Sequence, residues 1–575
     1  MINPAWLKAR AADVRRADTF NPALYQKYNV KRGLRNGDGT GVLVGLTTIG
    51  AVHGYVVSEG EKVPVPGQLF YRGIDVVDLV KNCEAEKRFG FEECAYLLLF
   101  GELPTRSQLA EWQTLLAEHR RLPDGFKENA LIRAPGKDLM NSLARAVLTA
   151  YTYDTAPDLL DIETNLRQAV ELIAGFPTMV AYAYQAKAHY HLGHSLMLRY
   201  PDPLKSTAEN ILALIREDGQ CTRLEAETLD LALILHAEHG GGNNSSFVTH
   251  VVTSAFSDMY STIAAATLSL KGSRHGGANL RTMRQMAEMK KNIRDWTDEG
   301  EVADYIAKIV RKEAGDGTGL VYGLGHAVYT VSDPRALLLR DKARQLAEVD
   351  GRLEEFALYN AIERLGPEII KSVHPGARDV CANVDLYSGF VYDMLSIPQD
   401  LYTPLFAVGR VVGWCAHRME ELDNGGPIIR PAYKPIFSLR DYVPMEARCR
   451  ETPPWTTTVL RTLRGTTTTL TTVRPGAGGR SSGGGCCWRS SGRADWPGAS
   501  VRGFWSAPSA VRVRHRRRGA SKPCGSCARR SPPPANRSGR PGWPGSAPRL
   551  RSRRSGPTRR SGTTRPFLNR AERRC

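Results

Sequence analysis

From Glu92 to Glu421 apolar residues recur at helical spacing in one segment after another, while strand-like runs are confined to residues 41–72. That asymmetry excludes most architectures. A parallel sheet requires strands that alternate with crossover helices, and no such alternation is present. The periodicity predicts helices over 107–121, 137–153, 163–174, 178–198, 206–217, 222–236, 279–290, 301–313, 334–348, 353–365, 390–396 and 403–421. Leu103-Pro104-Thr105 supplies a stop and a restart. Thr207 ahead of Asn210 and Thr222 ahead of Glu225 are candidate N-caps, the second as a capping box. Gly41-Val-Leu-Val-Gly45 and Gly54-Tyr-Val-Val57 are rich in β-branched residues and predict a small sheet. The fold class is mainly α, with helix well above the usual fraction of about one third.

Charge divides the chain near residue 448. From Cys449 onward there are 28 Lys+Arg against 3 Asp+Glu, and the whole chain has 78 against 59. Residues 1–448 therefore hold 50 against 56, and the net +19 belongs to the tail alone. The acidic part gives no reason to expect a nucleic-acid partner. The tail lacks Ile, Met, Tyr and Gln and is crowded with Arg, Gly, Ser and Pro. Such a segment cannot bury enough apolar surface to offset its ordering entropy, so it is expected to be disordered. It reads either as a shifted reading frame in GC-rich DNA or as a basic arm that binds nucleic acid. The second version makes the protein a non-enzymatic scaffold, the rival from a different functional class. The single CxxC, Cys524 to Cys527, lacks a partner pair. Six of the eleven cysteines lie in the tail, and the five before it (Cys83, Cys94, Cys221, Cys381, Cys415) are scattered, as in a reducing compartment. With no secretory or membrane-spanning run, the expectation is a soluble cytoplasmic protein.

The chemistry-bearing residues concentrate in Leu231–Asn279. The apolar run Leu231-Ala-Leu-Ile-Leu235 carries His236 and His239 into Gly240-Gly241-Gly242. A small-residue helical stretch follows, then a second turn, Ser273-Arg-His275-Gly-Gly-Ala-Asn279. Two histidine–glycine turns around a hydrophobic segment imply a buried polar site. The HGGG turn resembles a lipase oxyanion loop, but the nucleophile elbow it needs is matched only by Gly479-Arg-Ser-Ser-Gly483 in the tail. His236 and His239, like His191 and His194, have helical metal spacing without a third ligand, and no metal or cofactor is expected. Gly323-Leu-Gly325-His326 is neither a dinucleotide fingerprint nor a phosphate loop. Asp385 taken alone reads as a helix cap, and Arg430 as a solvated loop residue. Arg410, embedded in Ala407–Trp414, needs a carboxylate partner from the protein or from a ligand.

Taken in order, these pieces resemble the citrate synthase family. They are His236-Ala-Glu-His239, Ser273–Asn279, Gly323-Leu-Gly-His326 with Asp333-Pro-Arg335, Asn383-Val-Asp385 with Ser388-Gly389, Gly409-Arg410 and Arg430-Pro431. Phe70–Leu79 looks like the family's early signature. The resemblance covers roughly residues 30–448 and implies a two-domain helical homodimer. Its domains would be 1–272 with 381–448 as the large one, containing the β region at 41–72, and 273–380 as a small one that closes over the substrates. The tail, 449–575, stands outside it. The implied reaction condenses acetyl-CoA with oxaloacetate and water to give citrate and CoA, in the tricarboxylic acid cycle. The close alternative is 2-methylcitrate synthase, which uses propionyl-CoA.

The resemblance also implies roles. Asp385 would be the base, His275 the donor to the enol oxygen, and His326 the group that polarises the ketone of oxaloacetate. His239, Arg335, Arg410 and Arg430 would hold its carboxylates, with Arg430 reaching the partner subunit's site. Backbone groups of Val321, Tyr322, Gly323, Leu324 and Gly325 would contact CoA. His275 is expected to be neutral, because the start of a helix disfavours imidazolium. Some members carry a basic residue four after the turn histidine; here it is Thr330, and no CoA phosphate contact is assigned.

Overall fold

The computed structural model describes residues 2–448 except Asp38 and Gly60, and the backbone of 460–461 and 467–468. Residues up to Arg440 form one compact unit, and Asp441 onward forms a second. The boundary thus falls eight residues before the compositional one at 448. In the second unit β4 (Leu460–Arg461) pairs antiparallel with β5 (Thr467–Thr468). The rest of the expected tail, with its CxxC and its elbow-like glycines, lies outside the described residues.

The first unit begins with α1 (Pro4–Asp18) and α2 (Ala23–Lys27). A three-stranded antiparallel sheet follows: β1 (Gly50–Ser58), β2 (Glu61–Tyr71) and β3 (Ile74–Asp75). Then come α3 (Val76–Ala85), α4 (Phe91–Phe100), α5 (Arg106–His119), α6 (Leu139–Ala150), α7 (Ile162–Leu192), α8 (Thr207–Ile215) and α9 (Arg223–Ala237). α10 (Asn244–Thr253), α11 (Met259–Lys271), α12 (Ala278–Asn292), α13 (Glu299–Val310) and α14 (Pro334–Val349) precede α15 (Leu353–Val373), α16 (Val384–Met394) and α17 (Tyr402–Asn424). No described helix is long and apolar enough to cross a membrane.

α17 is the hub. It packs against α4, α6, α7, α9, α10 and α11, and every residue from Ala407 to Arg418 is buried. A second group consists of α12–α16, in which α14 packs on α16 and α13 on α15. α9 touches both groups, because it also meets α14 and α16. The active-site candidates lie along that seam.

Local signals account for most helix starts. Thr105 with Gln108 and Thr222 with Glu225 form reciprocal capping boxes. Four expectations are corrected. The cap of α8 is Ser206, not Thr207, because Glu209 reaches back to the Ser206 amide at 2.7 Å. Thr207 instead donates its amide and hydroxyl to the buried Glu92 carboxylate. The helices expected at 163–174 and 178–198 are one, α7, which continues through Pro177. Proline removes one hydrogen bond and crowds the preceding turn. Here Ile173, Phe176, Met179 and Val180 are all buried, and their packing outweighs that cost. α7 stops at Gly193, in the left-handed region at φ +81°, so 194–198 is not helical. Likewise α15 runs through Pro367 to Val373. The β-branched run at 41–45 forms no named strand. Leu43 is 85 % and Leu46 91 % exposed, and the run's one bridge is the isolated pair Gly41–Arg35; with no apolar face to bury, β-branched composition does not make a strand.

Candidate active site

The site assembles where α9 ends. Tyr71, at the end of β2, places its hydroxyl 2.9 Å from the Ile234 carbonyl and 3.1 Å from that of Glu238. This holds the last turn of α9 and the residues after it. Gly240 then turns at φ +84°, and its amide donates to Glu238 Oε1 at 2.5 Å. His239 is thereby fixed in the interior, with Nε2 buried and without a hydrogen-bond partner among the described residues. His236 stacks on Phe406 with centroids 4.0 Å apart and meets the Tyr392 hydroxyl at 3.2 Å. Among the described residues no metal-ligating group includes it.

Arg410 arrives from α17. It is fully buried, and its Nε donates to the His236 carbonyl at 2.5 Å. Nη1 and Nη2 are buried with no partner among the described residues. Burial pulls the guanidinium down to about 10, and Arg335 adds to this, although Glu238 and Tyr71 oppose it. A buried cation with two unused donors is poised for a carboxylate.

Arg335 starts α14, with proline at N1 and Asp333 as N-cap. Asp333 also takes the guanidinium as a fork, Nε to Oδ1 at 3.0 Å and Nη2 to Oδ2 at 2.7 Å. This leaves the Nη1 edge of Arg335 for a ligand. Burial opposes its charge, but Asp333 outweighs burial and holds it above the ordinary arginine value.

His326 sits on a loop spliced to the start of α16. Leu324 bridges Ala382, Gly325 N donates to the Cys381 carbonyl at 2.8 Å, and Asn383 Nδ2 donates to the Gly325 carbonyl at 2.8 Å. The β hairpin supports the same loop: Gly67 N donates to the Ser332 carbonyl at 3.1 Å. A Cβ on Gly67 would meet that oxygen at 2.2 Å, so only glycine permits the approach. His326 Nδ1 accepts from the amides of Val328 at 3.1 Å and Tyr329 at 3.0 Å. In the neutral ring the proton is therefore on Nε2. Burial, with help from Arg335, lowers this imidazole to about 4, so it is neutral at pH 7. The ring meets that of His239 edge-on, centroids 5.0 Å apart.

Most amides of Val321–Gly325 are consumed within the protein. Tyr322 N donates to Gln285 Oε1 at 2.8 Å, Leu324 N to the Val321 carbonyl at 3.2 Å, and Gly325 N to Cys381.

His275 lies three residues before α12. Its Nε2 is 3.0 Å from Ser245 Oγ. Trp414 Nε1 donates to that same oxygen at 3.1 Å, and the Ser245 hydroxyl donates to Asn243 Oδ1 at 3.0 Å. With its one proton on Asn243, Ser245 accepts from His275, which places the neutral ring's proton on Nε2. The ring is lowered to about 4, chiefly by burial and then by Arg410; it is neutral as expected, with burial the main cause.

Asp385 is the second residue of α16, and the cap is Asn383, whose Oδ1 accepts from the Asp385 amide at 2.9 Å. The Asp385 carboxylate has no hydrogen-bond or ion-pair partner among the described residues. Burial raises it to about 6; Asp333 adds to this and Arg335 opposes it. Arg430 is exposed in the segment after α17 and makes no described hydrogen bond or ion pair. The structure thus brings His239, His326, Arg335, Arg410 and Asp385 into one electrostatically coupled group, with His275 coupled through Arg410. It leaves Arg430 outside. Tyr71, Asp333, Asn383, Ser245 and Trp414, which orient that group, were not assigned from sequence. Of these, Asn383, Asp333 and Tyr71 lie inside the quoted motifs.

The family model described as "Citrate synthase, C-terminal domain" matches residues 37–432. A citrate synthase of Haloferax volcanii is 34 % identical over 407 residues, covering 70 % of this chain and 94 % of that protein. A 2-methylcitrate synthase of Shewanella oneidensis is 33 % identical, covering 66 % of this chain and 92 % of its own. Among solved structures, citrate synthase from Pyrobaculum aerophilum is similar at TM-score 0.59 and 29 % identity, covering 71 % of this chain and 94 % of that one. A Thermoplasma acidophilum citrate synthase in ternary complex with carboxymethyl coenzyme A and oxaloacetate is similar at TM-score 0.59 and 26 % identity, covering 73 % and 99 %.

Proposed function

The chain belongs to the citrate synthase family, and we propose how its residues carry the family's reaction, the condensation of acetyl-CoA with oxaloacetate and water to give citrate and CoA. It is an acyltransferase. The observation that carries the reading is Arg410, a fully buried guanidinium with two unpartnered nitrogens beside His239, whose Nε2 is also unpartnered. These donors suit one carboxylate of oxaloacetate. The free edge of Arg335 serves the other, together with Arg430 of a second copy.

The hard step is removal of a methyl proton from the acetyl group. The carbon acid is weaker than a carboxylic acid by something on the order of ten or more pK units, or about 14 kcal/mol. Raising Asp385 from the ordinary 3.8 to about 6 recovers roughly 3 kcal/mol of that. The remainder must come from donors aimed at the thioester oxygen in a site closed to water. The neutral His275 becomes that donor when the Ser245 hydroxyl turns from Asn243 to His275 Nε2 and leaves the ring proton on Nδ1. Asp385 takes the proton, and the enol carbon attacks the ketone carbon of oxaloacetate. The ketone oxygen takes the Nε2 proton of His326, giving citryl-CoA. Water then cleaves the thioester and CoA leaves as the thiol.

A homodimer fits this reading. Residues 428–439 expose Ile428, Tyr433, Phe437 and Leu439, an apolar run suited to a second subunit, and Arg430 lies on it. The contact of Val321–Gly325 with CoA remains part of the proposal through their carbonyls and the Val321 and Gly323 amides. The five unpaired cysteines of the described part support a reducing, cytoplasmic compartment and a place in the tricarboxylic acid cycle. The test is chromatographic detection of free CoA from acetyl-CoA, with and without oxaloacetate. Release only with oxaloacetate is expected, and release without it overturns the reading in favour of a thioesterase. A propionyl-CoA arm separates the 2-methylcitrate alternative: kcat/KM higher for propionyl-CoA would replace citrate synthase by it.

A further inference from the structure

Beside Gly241, two residues after His239, lies a second cluster that the condensation does not use. Three donor atoms face one another: Nε2 of His250 on α10, and Nδ1 of His417 and Oε2 of Glu420 on α17. His250 Nε2 and His417 Nδ1 are 3.2 Å apart, and His417 Nδ1 and Glu420 Oε2 are 3.7 Å apart. All three lie within 4.8 Å of one another. Two ligands bound tetrahedrally to Zn2+ at about 2.0–2.1 Å are separated by about 3.4 Å, and the two separations from His417 Nδ1, 3.2 and 3.7 Å, bracket that value. We propose that these three residues form a binding site for a divalent transition ion of the Zn2+ class.

The groups turned away from the centre support the assignment. His250 Nδ1 is held by Glu421 Oε2 at 2.8 Å. His417 Nε2 is held by the fully buried Glu238 Oε1 at 3.0 Å. Glu420 Oε1 accepts from the amide and hydroxyl of Thr48 at 2.6 and 2.8 Å. Each ligand's outer atom is therefore anchored, and both imidazoles carry the carboxylate partner that metal-bound histidines characteristically have. Glu420 Oε2 is buried and accepts no hydrogen bond. Three carboxylates, Glu238, Glu420 and Glu421, stand around the two imidazoles, with Arg410 acting on Glu238 and Arg72 on Glu420. Gly241 leaves the fourth side open, because a Cβ there would lie 3.3 Å from His250 Nε2 and 3.8 Å from His417 Nδ1. A water completes a four-coordinate shell at that position. Two imidazoles and one carboxylate select a borderline ion over Mg2+ or Ca2+. The ion ties α10, α17 and Thr48 together behind the Glu238–Gly240 turn.

The competing description is a proton shared between the two histidines. Calorimetric titration with Zn2+ of the chelator-stripped full chain separates the two, with Mg2+ as control. Cysteines elsewhere in the chain also take Zn2+, so the readout is the difference between variants. One tight equivalent is expected to disappear in His250→Ala, together with the rise in thermal midpoint that Zn2+ causes in the wild type. Glu421→Gln, which keeps every ligand, is expected to weaken that equivalent 10–100-fold. The proposal is overturned if His250→Ala binds Zn2+ with unchanged stoichiometry and affinity. It is equally overturned if Glu421→Gln leaves the affinity within twofold, or if the wild type takes up no Zn2+ or binds Mg2+ as tightly.

Discussion

Replacing Arg410 with methionine should move stability and binding in opposite directions. The guanidinium is held at about 10 against an ordinary 12.5. At 1.36 kcal/mol per pH unit, the ligand-free fold therefore disfavours this charge by roughly 3 kcal/mol. Methionine removes that penalty and fills the space beside Phe406, over whose ring the guanidinium now sits at 4.8 Å. It also removes the Nε bond to the His236 carbonyl, and a buried carbonyl left unpaired costs about 1–3 kcal/mol. The ligand-free variant should thus lie between unchanged and about 2 kcal/mol more stable. Oxaloacetate loses a two-pronged, charge-assisted contact worth at least about 3 kcal/mol, a factor of roughly a hundred in affinity. Thermal unfolding without ligand and calorimetry with oxaloacetate measure the two quantities. A lower midpoint together with oxaloacetate affinity within threefold of wild type would refute the reasoning, since Arg410 would then be a structural cation.

Asp385→Ala is expected to lower the steady-state rate of CoA release by orders of magnitude while leaving oxaloacetate affinity nearly intact; a loss of less than tenfold means another group is the base. The rate should also report the raised carboxyl. Only ionised Asp385 accepts the proton, so kcat/KM falls as pH drops through about 6, and about nine tenths of the free enzyme is active at pH 7. His275 and His326 protonate only near 4, so they stay neutral across that limb; an acid limb centred near 4 contradicts the assignment. Ser245→Ala removes the hydroxyl that selects the His275 tautomer and should lower kcat roughly tenfold or more without changing oxaloacetate affinity. An unchanged kcat would show that His275 is oriented by other contacts.

Local order was legible in the sequence because its causes are local. The capping box at Thr222, the proline start of α14 and the glycine turn after His239 each depend on residues within about four positions. So do the identities of the chemical groups, since a histidine in a glycine turn or an arginine in an apolar run is unusual wherever it lies. The order of those motifs sufficed for the family and its reaction. What the sequence could not carry is which atoms remain available. Asp333 takes one edge of Arg335 while nothing described pairs with Nη1 and Nη2 of Arg410, though both arginines read alike in one dimension. The splice of 323–325 onto 381–383 sets the His326 loop against the start of α16 across more than fifty residues. The run at 41–45 has strand composition but lies exposed, with no packed face to hold it in a sheet. Burial, the principal cause of the shifts at His275, His326 and Asp385, comes from packing α9, α14, α16 and α17 together. It is a property of the assembled seam, because desolvation depends on everything that surrounds a group and on nothing in its own residue type.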